Sequence, residues 1–396
     1  MAMWGERINV CYGISDKEGK YAKVLGTSIC SLLENTEAPV TVHIFYDETM
    51  SNDNREKFQK MIDNYGQKVC FHDVISNRKD MWEAMKKVLS MYIDFRFTIG
   101  AFYRLLMGEI LEEESRAIYL DADTIINTDI RELWEWELPE SGLAAVGDIV
   151  LQELKTRVVA KGLVNQAEYF NSGVLLLDLR KFRSIDHIVR RIAEFIIEHQ
   201  PEAPDQDFLN FYFPHSAVLP EKFNCFTWRG KEKGEPRDGY IYHYVNHAIA
   251  LNMEDSFNKL YFKYFVKTPW CDEIFIGNLA QKVNEVNYEY MHFANMCAGK
   301  RRIAIGLASG RDLFTENFNL QEGDIYIPLE ELENVRLDFK KSRDVFLIFL
   351  SDKDYDDISS RLCSFGLKEK VHFFNMFSLM GITNKNNINY EFFINC

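Results

Sequence analysis

Two aspartates, Asp121 and Asp123, interrupt an otherwise apolar segment, RAIYLDADTIIN at residues 116–127. Two carboxylates this close repel each other and are costly to remove from water unless a cation sits between them. Hard divalent ions such as Mg²⁺ or Mn²⁺ prefer oxygen ligands and commonly keep open positions for phosphate oxygens. The pair therefore indicates a divalent metal site. The alternative is that one aspartate caps the next turn while the other is solvated.

The spacing alone does not decide between these interpretations, because D-x-D occurs four times, at 121/123, 205/207, 352/354 and 354/356. The last two lie in DKDYDD (352–357), where Asp357 and Cys363 replace the glycine and glutamate of a calcium-binding EF-hand loop. Position favours the metal site for the first pair. Asp121 ends a run that predicts a buried strand, and ligands bind at the carboxyl ends of strands in open α/β sheets. In an extended segment residues i and i+2 point to the same side, so we expect both carboxylates to face one cation.

The elements that must position this pair alternate between strand and helix. Runs of β-branched and apolar residues predict strands, and apolar residues at helical spacing, such as Leu25, Ile29 and Leu32, predict helices. The predicted strands outside the opening segment lie at 8–13, 40–47, 68–74, 142–148, 172–179 and 240–245, and the predicted helices at 21–35, 52–64, 98–114 and 184–200. This alternation indicates an α/β fold with a mostly parallel sheet.

A composition shift near 285–300 separates this part of the chain from a tail. Further strands are predicted within 300–310, 323–332, 344–352 and 370–375, with a helix over 357–367 that ends at Gly366. We therefore predict two domains, residues 1–285 and a small α/β accessory domain at residues 286–396.

The composition limits the classes of function. The chain has 396 residues, 47% of them hydrophobic, which is a globular composition. Its net charge of -14 disfavours nucleic acid as a main partner, because phosphate binding needs a basic surface. The eight scattered cysteines fit neither a zinc site nor a disulfide framework, so we expect reduced thiols in a cytoplasmic protein. We expect no signal peptide and no transmembrane helix, which leaves peripheral contact with a membrane open.

Six motifs, in order over roughly residues 7–265, resemble glycosyltransferase family 8, which includes bacterial lipopolysaccharide galactosyl- and glucosyltransferases and glycogenin. They are SDKEGKYAKVLGTSICSLLENT (15–36), FYRLLMGEIL (102–111), YLDADTII (119–126), YFNSGVLLLDLRKFR (169–183), PDQDFLN (204–210) and YIYHYV (240–245). The resemblance implies the GT-A fold, a Rossmann-like α/β domain with a mostly parallel sheet. It also implies a retaining, metal-dependent transferase that takes its sugar from UDP.

The resemblance implies specific roles for the metal and nucleotide residues. Asp121 and Asp123 would bind Mn²⁺ or Mg²⁺ with His243 as the third protein ligand, although a histidine on a late strand is by itself more often a satisfied core residue. Ile14, Asp16 and Glu18 match the first nucleotide loop, with Asp16 near the uracil ring. The nucleotide-binding set is completed by Arg104, by Ala122 between the two aspartates and by Asn246, while Thr124 and Ile125 would line the pocket.

The residues implied to surround the transferred sugar are Arg104, Asp148, Asn171, Asp205 and Gln206. Arg104 would reach the donor sugar and phosphates, the alternative being a surface cation on its helix. Asp205 would hold sugar hydroxyls, and Gln206 would lie near the anomeric carbon on the side away from the leaving group. Ser172 and Gly173 would let their strand approach the ligand closely.

One segment departs from the family pattern. After His243, Asn246 stands in place of a glycine and Ile249 in place of a lysine that grips the diphosphate. The replacement charge could come from Arg229, Lys231 or Lys233, or from His247 when protonated. We expect the missing lysine to weaken donor binding by about one to two decades, and Ile249→Lys to tighten UDP binding.

The sequence thus predicts a retaining hexosyltransferase that moves glucose or galactose from a UDP-sugar to a hydroxyl of a surface glycan, lipopolysaccharide or glycoprotein. The alternative is a degenerate family member that binds UDP or a glycan without turnover. A sugar-nucleotide pyrophosphorylase is disfavoured, because YGISDKEGK (12–20) is not a glycine-rich basic loop. The tail, 296–396, resembles a Rossmann-like accessory domain of some bacterial sugar transferases. Its GLASG segment (306–310) is not a dinucleotide fingerprint, and an interaction or acceptor-positioning role is expected.

Overall fold

The computed structural model of this chain describes residues 7–76, 79–92, 99–149, 157–245, 249, 253–308, 310–317, 320–334, 343–379 and 393. The chain divides into two units, residues 1–272 and 273–396. The boundary predicted at 285/286 falls inside the helix that opens the second unit, Glu273–Cys297.

The strands of the first unit form where the apolar runs predicted them. They are β1 (Ile8–Ile14), β2 (Val40–Tyr46), β3 (Lys68–Asp73), β4 (Arg116–Leu120), β5 (Thr124–Asn127), β6 (Leu143–Gly147), β7 (Phe170–Asp178), β8 (Cys225–Phe226) and β9 (Tyr240–His243). The first two are buried over almost their whole length, as expected for strands covered on both faces.

Two sheets share these strands. The six-stranded sheet has the order β3-β2-β1-β4-β7-β6, and the three-stranded sheet has the order β5-β9-β8. β1 pairs in parallel with β2 and β4, and β2 in parallel with β3, whereas β7 runs antiparallel to β4 and β6. The predicted α/β class with a mostly parallel sheet is confirmed.

Helices connect the strands of the first unit. They are α1 (Ala22–Asn35), α2 (Asn52–Asn64), α3 (Lys79–Tyr92), α4 (Met107–Ile110), α5 (Arg131–Trp134), α6 (Arg157–Ala160), α7 (Leu179–Arg183), α8 (Ile188–His199), α9 (Pro204–Tyr212), α10 (Thr227–Glu232) and α11 (Ser256–Phe265). In the described part of this unit, 3₁₀ helices lie at Ile99–Leu106, Gln166–Glu168 and Glu221–Phe223.

The helix predicted over 98–114 is the clearest difference in element type. The chain forms a 3₁₀ helix at Ile99–Leu106 and only then the short α4, while Thr98, the first residue of the predicted helix, lies outside the described residues. Three residues per turn bring i and i+3 into line. Arg104 accordingly donates from Nε to the carbonyl of Ala101 at 2.8 Å. The 3₁₀ helix thus holds the Arg104 side chain at its Nε atom.

The described strands of the second unit form a parallel sheet. Its strands are β10 (Arg301–Gly306), β11 (Ile325–Pro328), β12 (Asp344–Phe349) and β13 (Phe373–Asn375), in the order β11-β10-β12-β13. Its helices are α12 (Glu273–Cys297), α13 (Gly310–Asn317), α14 (Asp352–Ser364) and α15 (Met376–Leu379), with a 3₁₀ helix at Leu329–Asn334. The helix predicted over 357–367 begins earlier, at Asp352, and Gly366 follows its end with a φ of 77°.

Among the helices that the structure describes, none is both long enough and apolar enough to cross a membrane.

Candidate metal centre and sugar site

The two aspartates lie in the turn that carries the chain from the six-stranded sheet into the three-stranded sheet. Asp121 follows β4, and Asp123 precedes β5. The Asp121 amide donates to the carbonyl of Gly173 (2.8 Å), and Thr124 donates to the Asp121 carbonyl from its amide (3.2 Å) and its hydroxyl (2.8 Å). The expectation of an extended segment is therefore wrong, because the chain must turn sharply to change sheets.

The turn nevertheless brings both carboxylates to His243. This histidine ends β9 opposite Thr124 in the antiparallel β5–β9 pair. Its Nε2 lies 3.2 Å from Asp123 Oδ1 and 3.8 Å from Asp121 Oδ2. One ligand atom from each of the three residues lies within 4.8 Å of the other two.

The chemistry of this cluster fits a hard divalent cation. Two half-buried carboxylates offer oxygen ligands, and a buried imidazole offers a nitrogen. Burial disfavours the charged imidazole, but Asp123 and Asp121 outweigh it and raise the pKa of His243 above its usual range. The three side chains are thus arranged to hold one positive charge, and a metal ion would replace the proton.

Gly173 makes the convergence possible. A Cβ on this residue would lie 2.3 Å from Cε1 of His243 and 2.8 Å from Oδ2 of Asp121. No side chain fits at these distances, so the strand β7 passes directly behind the cluster only because residue 173 is glycine. The sequence predicted that this strand approaches the bound sugar; the structure shows it close to His243 and Asp121, two of the candidate metal ligands.

Arg104 connects the metal cluster with the sugar-site residues. Its side chain is 6% exposed, which excludes the alternative of a surface cation. Nη2 donates to Asp121 Oδ1 (2.8 Å), Nη1 donates to the carbonyl and hydroxyl of Ser172 (2.6 and 2.9 Å), and Nε lies 3.3 Å from Asp205 Oδ2. The guanidinium also lies over the ring of Tyr119 at 4.6 Å.

The pKa values of Arg104 and Asp205 shift in the directions expected for buried groups of opposite charge. Burial opposes the guanidinium charge, but Asp121 and Asp205 outweigh it, so the pKa of Arg104 is raised. Burial also raises the pKa of Asp205, against the pull of Arg104. Asp205 sits in the first turn of α9, where Pro204 opens the helix.

Gln206 is the centre of an amide cluster beside Arg104. Its Oε1 accepts from Asn171 Nδ2 (3.1 Å) and from the backbone N–H of Ser172 (3.0 Å). Its Nε2 donates to Asp148 Oδ2 (2.9 Å) and to the Tyr169 hydroxyl (3.1 Å). Three residues predicted to surround the transferred sugar therefore meet here, since Asp148 follows β6, Asn171 lies in β7 and Gln206 lies in α9. Asp205, the fourth, precedes Gln206 in α9 and lies against Arg104.

The predicted nucleotide-loop residues lie at and after the carboxyl end of β1. Ile14 is buried and ends the strand. Asp16 is buried, with Oδ1 accepting from the Tyr21 amide (2.7 Å) and Oδ2 from Asn54 Nδ2 (2.9 Å). Burial raises its pKa. Glu18 is exposed and pairs with Lys20 at 3.0 Å.

The remaining residues predicted to contact the nucleotide fall into two groups. Ala122 is buried between the aspartates, and the buried Thr124 hydroxyl lies 3.0 Å from Ser28 Oγ. Asn246 and His247 lie outside the described residues.

The departure from the family pattern has a structural counterpart. Ile249 is completely buried. Each of the three cations considered as substitutes for the missing lysine already contacts a carboxylate. Lys231 pairs with Asp255, Lys233 with Glu221, and Arg229 with Glu232 at 2.6 Å.

Sequence reasoning missed three residues of this site. Asn224 Oδ1 lies 2.9 Å from His243 Nδ1, and Tyr119 donates to Asp121 Oδ1 at 3.0 Å. The Tyr169 hydroxyl donates to Asp207 Oδ1 at 2.5 Å and accepts from Gln206 Nε2 at 3.1 Å. The available signals were weak. Asn224 interrupts the apolar FNCF segment (223–226) as the aspartates interrupt theirs, and Tyr119 precedes Asp121 by two residues.

Comparison with known proteins places these features in a family. The profile described as glycosyl transferase family 8 matches residues 11–248. General stress protein A of Bacillus subtilis is 30% identical over 199 residues, which cover 50% of this chain and 64% of that protein, just under two thirds of its length. A lipopolysaccharide 1,2-glucosyltransferase of Escherichia coli is 28% identical over 250 residues, covering 61% of this chain and 69% of that one.

A solved structure matches the fold. The galactosyltransferase LgtC, in complex with donor and acceptor sugar analogues, superposes with a TM-score of 0.56 at 20% identity, over 68% of this chain and 99% of that chain. This similarity supports the GT-A fold. The family profile spans more than half of the sequence, including both aspartates and His243, and the chain therefore belongs to glycosyl transferase family 8.

Proposed function

We propose that this protein is a retaining hexosyltransferase that moves glucose or galactose from a UDP-sugar to an acceptor hydroxyl with the help of Mn²⁺ or Mg²⁺. The observation that carries the proposal is the convergence of Asp121, Asp123 and His243 within 4.8 Å. The hexoses are those in the names of the Escherichia coli glucosyltransferase and the galactosyltransferase LgtC.

The metal end of the site would hold the diphosphate. A divalent cation on Asp121, Asp123 and His243 would supply Lewis-acid assistance by neutralising charge on the departing UDP. The chain's own contribution is to keep these ligands in place, through Arg104 on Asp121 and the glycine at 173 behind His243. Asp16 and Ile14, at the end of β1, are the candidates for the uridine end, with Asn246 as a further nucleotide contact.

The sugar end would be held by Asp205, Asp148 and Asn171. Gln206 is expected near the anomeric carbon, on the side away from the leaving group, where its side-chain oxygen would be a weak nucleophile. This oxygen accepts hydrogen bonds from Asn171 and from the Ser172 amide. An amide oxygen has two lone pairs, and both are engaged. This supports front-side attack by the acceptor hydroxyl, on the face from which UDP leaves, without a covalent enzyme intermediate.

A second candidate function is binding of UDP or a glycan without turnover. The observation that favours it is Ile249, which is buried and uncharged where a phosphate-binding lysine is expected. The pairing of Arg229, Lys231 and Lys233 with carboxylates points in the same direction.

One experiment separates the two functions. The protein is incubated with a panel of UDP-hexoses and Mn²⁺, and release of free sugar is measured, which requires no knowledge of the acceptor. We expect hydrolysis of UDP-glucose or UDP-galactose that stops in EDTA. Calorimetry with UDP, with and without Mn²⁺, is run in parallel. UDP binding without hydrolysis of any donor would favour the non-catalytic function.

Matched variants connect the activity to the site. Asp123→Asn removes one metal ligand charge and should abolish most sugar release. Asp129→Asn changes an acidic residue six positions further along, which pairs with Arg131 on the surface, and should leave sugar release unchanged. Equal activity of Asp123→Asn and the wild type would show that the reaction takes place elsewhere.

The acceptor and the location belong to the same proposal. We expect a hydroxyl of a surface glycan, lipopolysaccharide or glycoprotein as acceptor, and a position in the cytoplasm or at the inner face of the membrane. The second unit would act as an accessory domain that positions the acceptor or another protein.

A further inference from the structure

Asn224 occupies a buried position between the metal cluster and the sugar site. It follows the 3₁₀ helix Glu221–Phe223 and precedes β8, whose Phe226 pairs with His243 of β9. Its side chain is almost completely buried. One end of its carboxamide lies 2.9 Å from His243 Nδ1, and the other lies 2.8 Å from Asn171 Oδ1.

The direction of these hydrogen bonds is fixed by the backbone. The amide N–H of Gly173, which can only donate, contacts Asn171 at 2.9 Å, so the contacted atom of Asn171 must be its oxygen. The atom of Asn224 facing that oxygen must then be Nδ2, and the atom facing His243 must be Oδ1. A neutral His243 therefore carries its proton on Nδ1 and directs the lone pair of Nε2 toward Asp121 and Asp123.

The same chain of bonds continues to the sugar site. Asn171 Nδ2 donates to Gln206 Oε1, and Gln206 Nε2 donates to Asp148. The Ser172 amide, another obligatory donor, fixes the orientation of Gln206 independently. Every link thus donates in one direction, from His243 through Asn224, Asn171 and Gln206 to the Asp148 carboxylate.

We propose that Asn224 is a positioning residue that couples the two halves of the site. With its oxygen it holds His243 in the tautomer that can ligate a cation, and with its nitrogen it holds Asn171 and, through it, Gln206. This inference rests on the proposed function and adds a residue to it. Loss of such a partner on the second nitrogen of a metal-ligating histidine typically weakens metal binding by about 10–100-fold.

Two substitutions separate the two roles of Asn224. Asn224→Leu removes both hydrogen bonds. Asn224→Asp keeps an acceptor for His243 Nδ1 but loses the donor and places a carboxylate oxygen against Asn171 Oδ1. As a control, Asn127→Leu removes a comparably buried asparagine of the same unit, which bonds to the Arg237 carbonyl, Asp238 and the Tyr264 hydroxyl.

The primary measurement is the Mn²⁺ dissociation constant of the full-length protein, taken by calorimetry without nucleotide. We expect Asn224→Leu to weaken Mn²⁺ binding roughly 10–100-fold. Asn224→Asp should bind Mn²⁺ at least as tightly as the wild type but should lose kcat for donor hydrolysis, because its link to Asn171 and Gln206 is broken. Asn127→Leu should lower the melting temperature without changing Mn²⁺ affinity.

The alternatives are distinguishable. Wild-type Mn²⁺ affinity in Asn224→Leu, or equal loss of affinity in the leucine and aspartate variants, overturns the positioning role and leaves the proposed function standing. Weakened Mn²⁺ binding in Asn127→Leu overturns it as well, since the effect would then follow from lost stability. A wild-type protein that binds no Mn²⁺ overturns the proposed function and this inference together.

Discussion

Gly173 is the residue on which the metal cluster most directly depends. An added methyl group would meet His243 at 2.3 Å and Asp121 at 2.8 Å, so one of the two candidate ligands must move. We predict that Gly173→Ala leaves the protein folded but weakens Mn²⁺ binding by about one to two decades, the range seen when the support of a metal ligand is lost. Calorimetry with Mn²⁺ measures the effect.

The control for this substitution is a glycine with free space around it. Among the residues that the structure describes, none outside the backbone of α12 has an atom within 4 Å of a Cβ built on Gly277. Gly277→Ala should leave Mn²⁺ binding unchanged and raise stability slightly, because alanine favours the helix by about 1 kcal/mol over glycine. If Gly173→Ala binds Mn²⁺ like the wild type, the strand has room that the structure does not show.

At the scale of elements, the three strands β1, β2 and β3 share a buried polar cluster. His43 on β2 lies 3.0 Å from Nε2 of His72 on β3 and 3.2 Å from Oδ1 of Asn9 on β1. Asn9 in turn donates to Glu114 at 2.7 Å. Burial, followed by the charges of His72 and Lys68, lowers the pKa of His43 to about 3, and burial lowers that of His72.

This cluster predicts acid sensitivity. Because the folded-state pKa of His43 lies below its unfolded value near 6.5, its contribution to stability is complete above that value and is lost as the pH falls toward 3. Between pH 7 and pH 5 we expect a loss of about 2 kcal/mol from His43 alone. Urea titrations at several pH values measure it.

The variant His43→Gln should lose the part of the pH dependence of the unfolding free energy that comes from the binding of about one proton. Exposed His187, whose φ of 54° an asparagine tolerates well, provides the control His187→Asn, which should keep the wild-type slope. An unchanged slope in His43→Gln would show that the acid sensitivity arises elsewhere in the molecule.

The segment after β9 gives a second prediction at this scale. The sequence predicts that a lysine at position 249 tightens UDP binding. The structure adds a cost in stability: Ile249 is completely buried, so the ammonium group of the new lysine would have to leave water. We now predict that Ile249→Lys is less stable than the matched Ile249→Met by on the order of 3 kcal/mol without ligand. Saturating UDP and Mn²⁺ should reduce the difference in stability between the two variants, because the diphosphate would neutralise the charge of the lysine. Equal melting temperatures of the two variants without ligand would place residue 249 in water.

At the scale of the whole molecule, the two units differ in what they carry. Every candidate site residue lies in residues 1–272, and α12 begins the second unit at Glu273. We predict that a fragment of residues 1–272 folds, binds UDP in the presence of Mn²⁺ and hydrolyses the donor. Circular dichroism checks its folding and calorimetry its binding. A folded fragment that fails to bind UDP would show that the second unit completes the site.

The sequence predicted the strands from local patterns, and it predicted the three residues of the metal cluster from the resemblance to a family. Apolar runs locate the strands, and the ordered family motifs bring His243 to Asp121 from more than a hundred residues away. The contacts that hold the ligands were not predictable in this way. Arg104 reaches Ser172 across 68 residues and Asn224 reaches Asn171 across 53, and neither contact is marked by spacing. The 3₁₀ form of residues 99–106 was not predictable either, because apolar residues at helical spacing do not distinguish a 3₁₀ helix from an α-helix.

The turn between β4 and β5 has a consequence for how the molecule opens. Its aspartates belong to the junction of two sheets, and His243 closes the cluster from the smaller one. A cation that binds all three residues binds only while the two sheets remain docked, so its binding energy is added to the cost of separating them. Amide protons of β5 and β9 should then exchange with solvent more slowly when the cation is present, and the small sheet would cease to be an independently opening part of the fold.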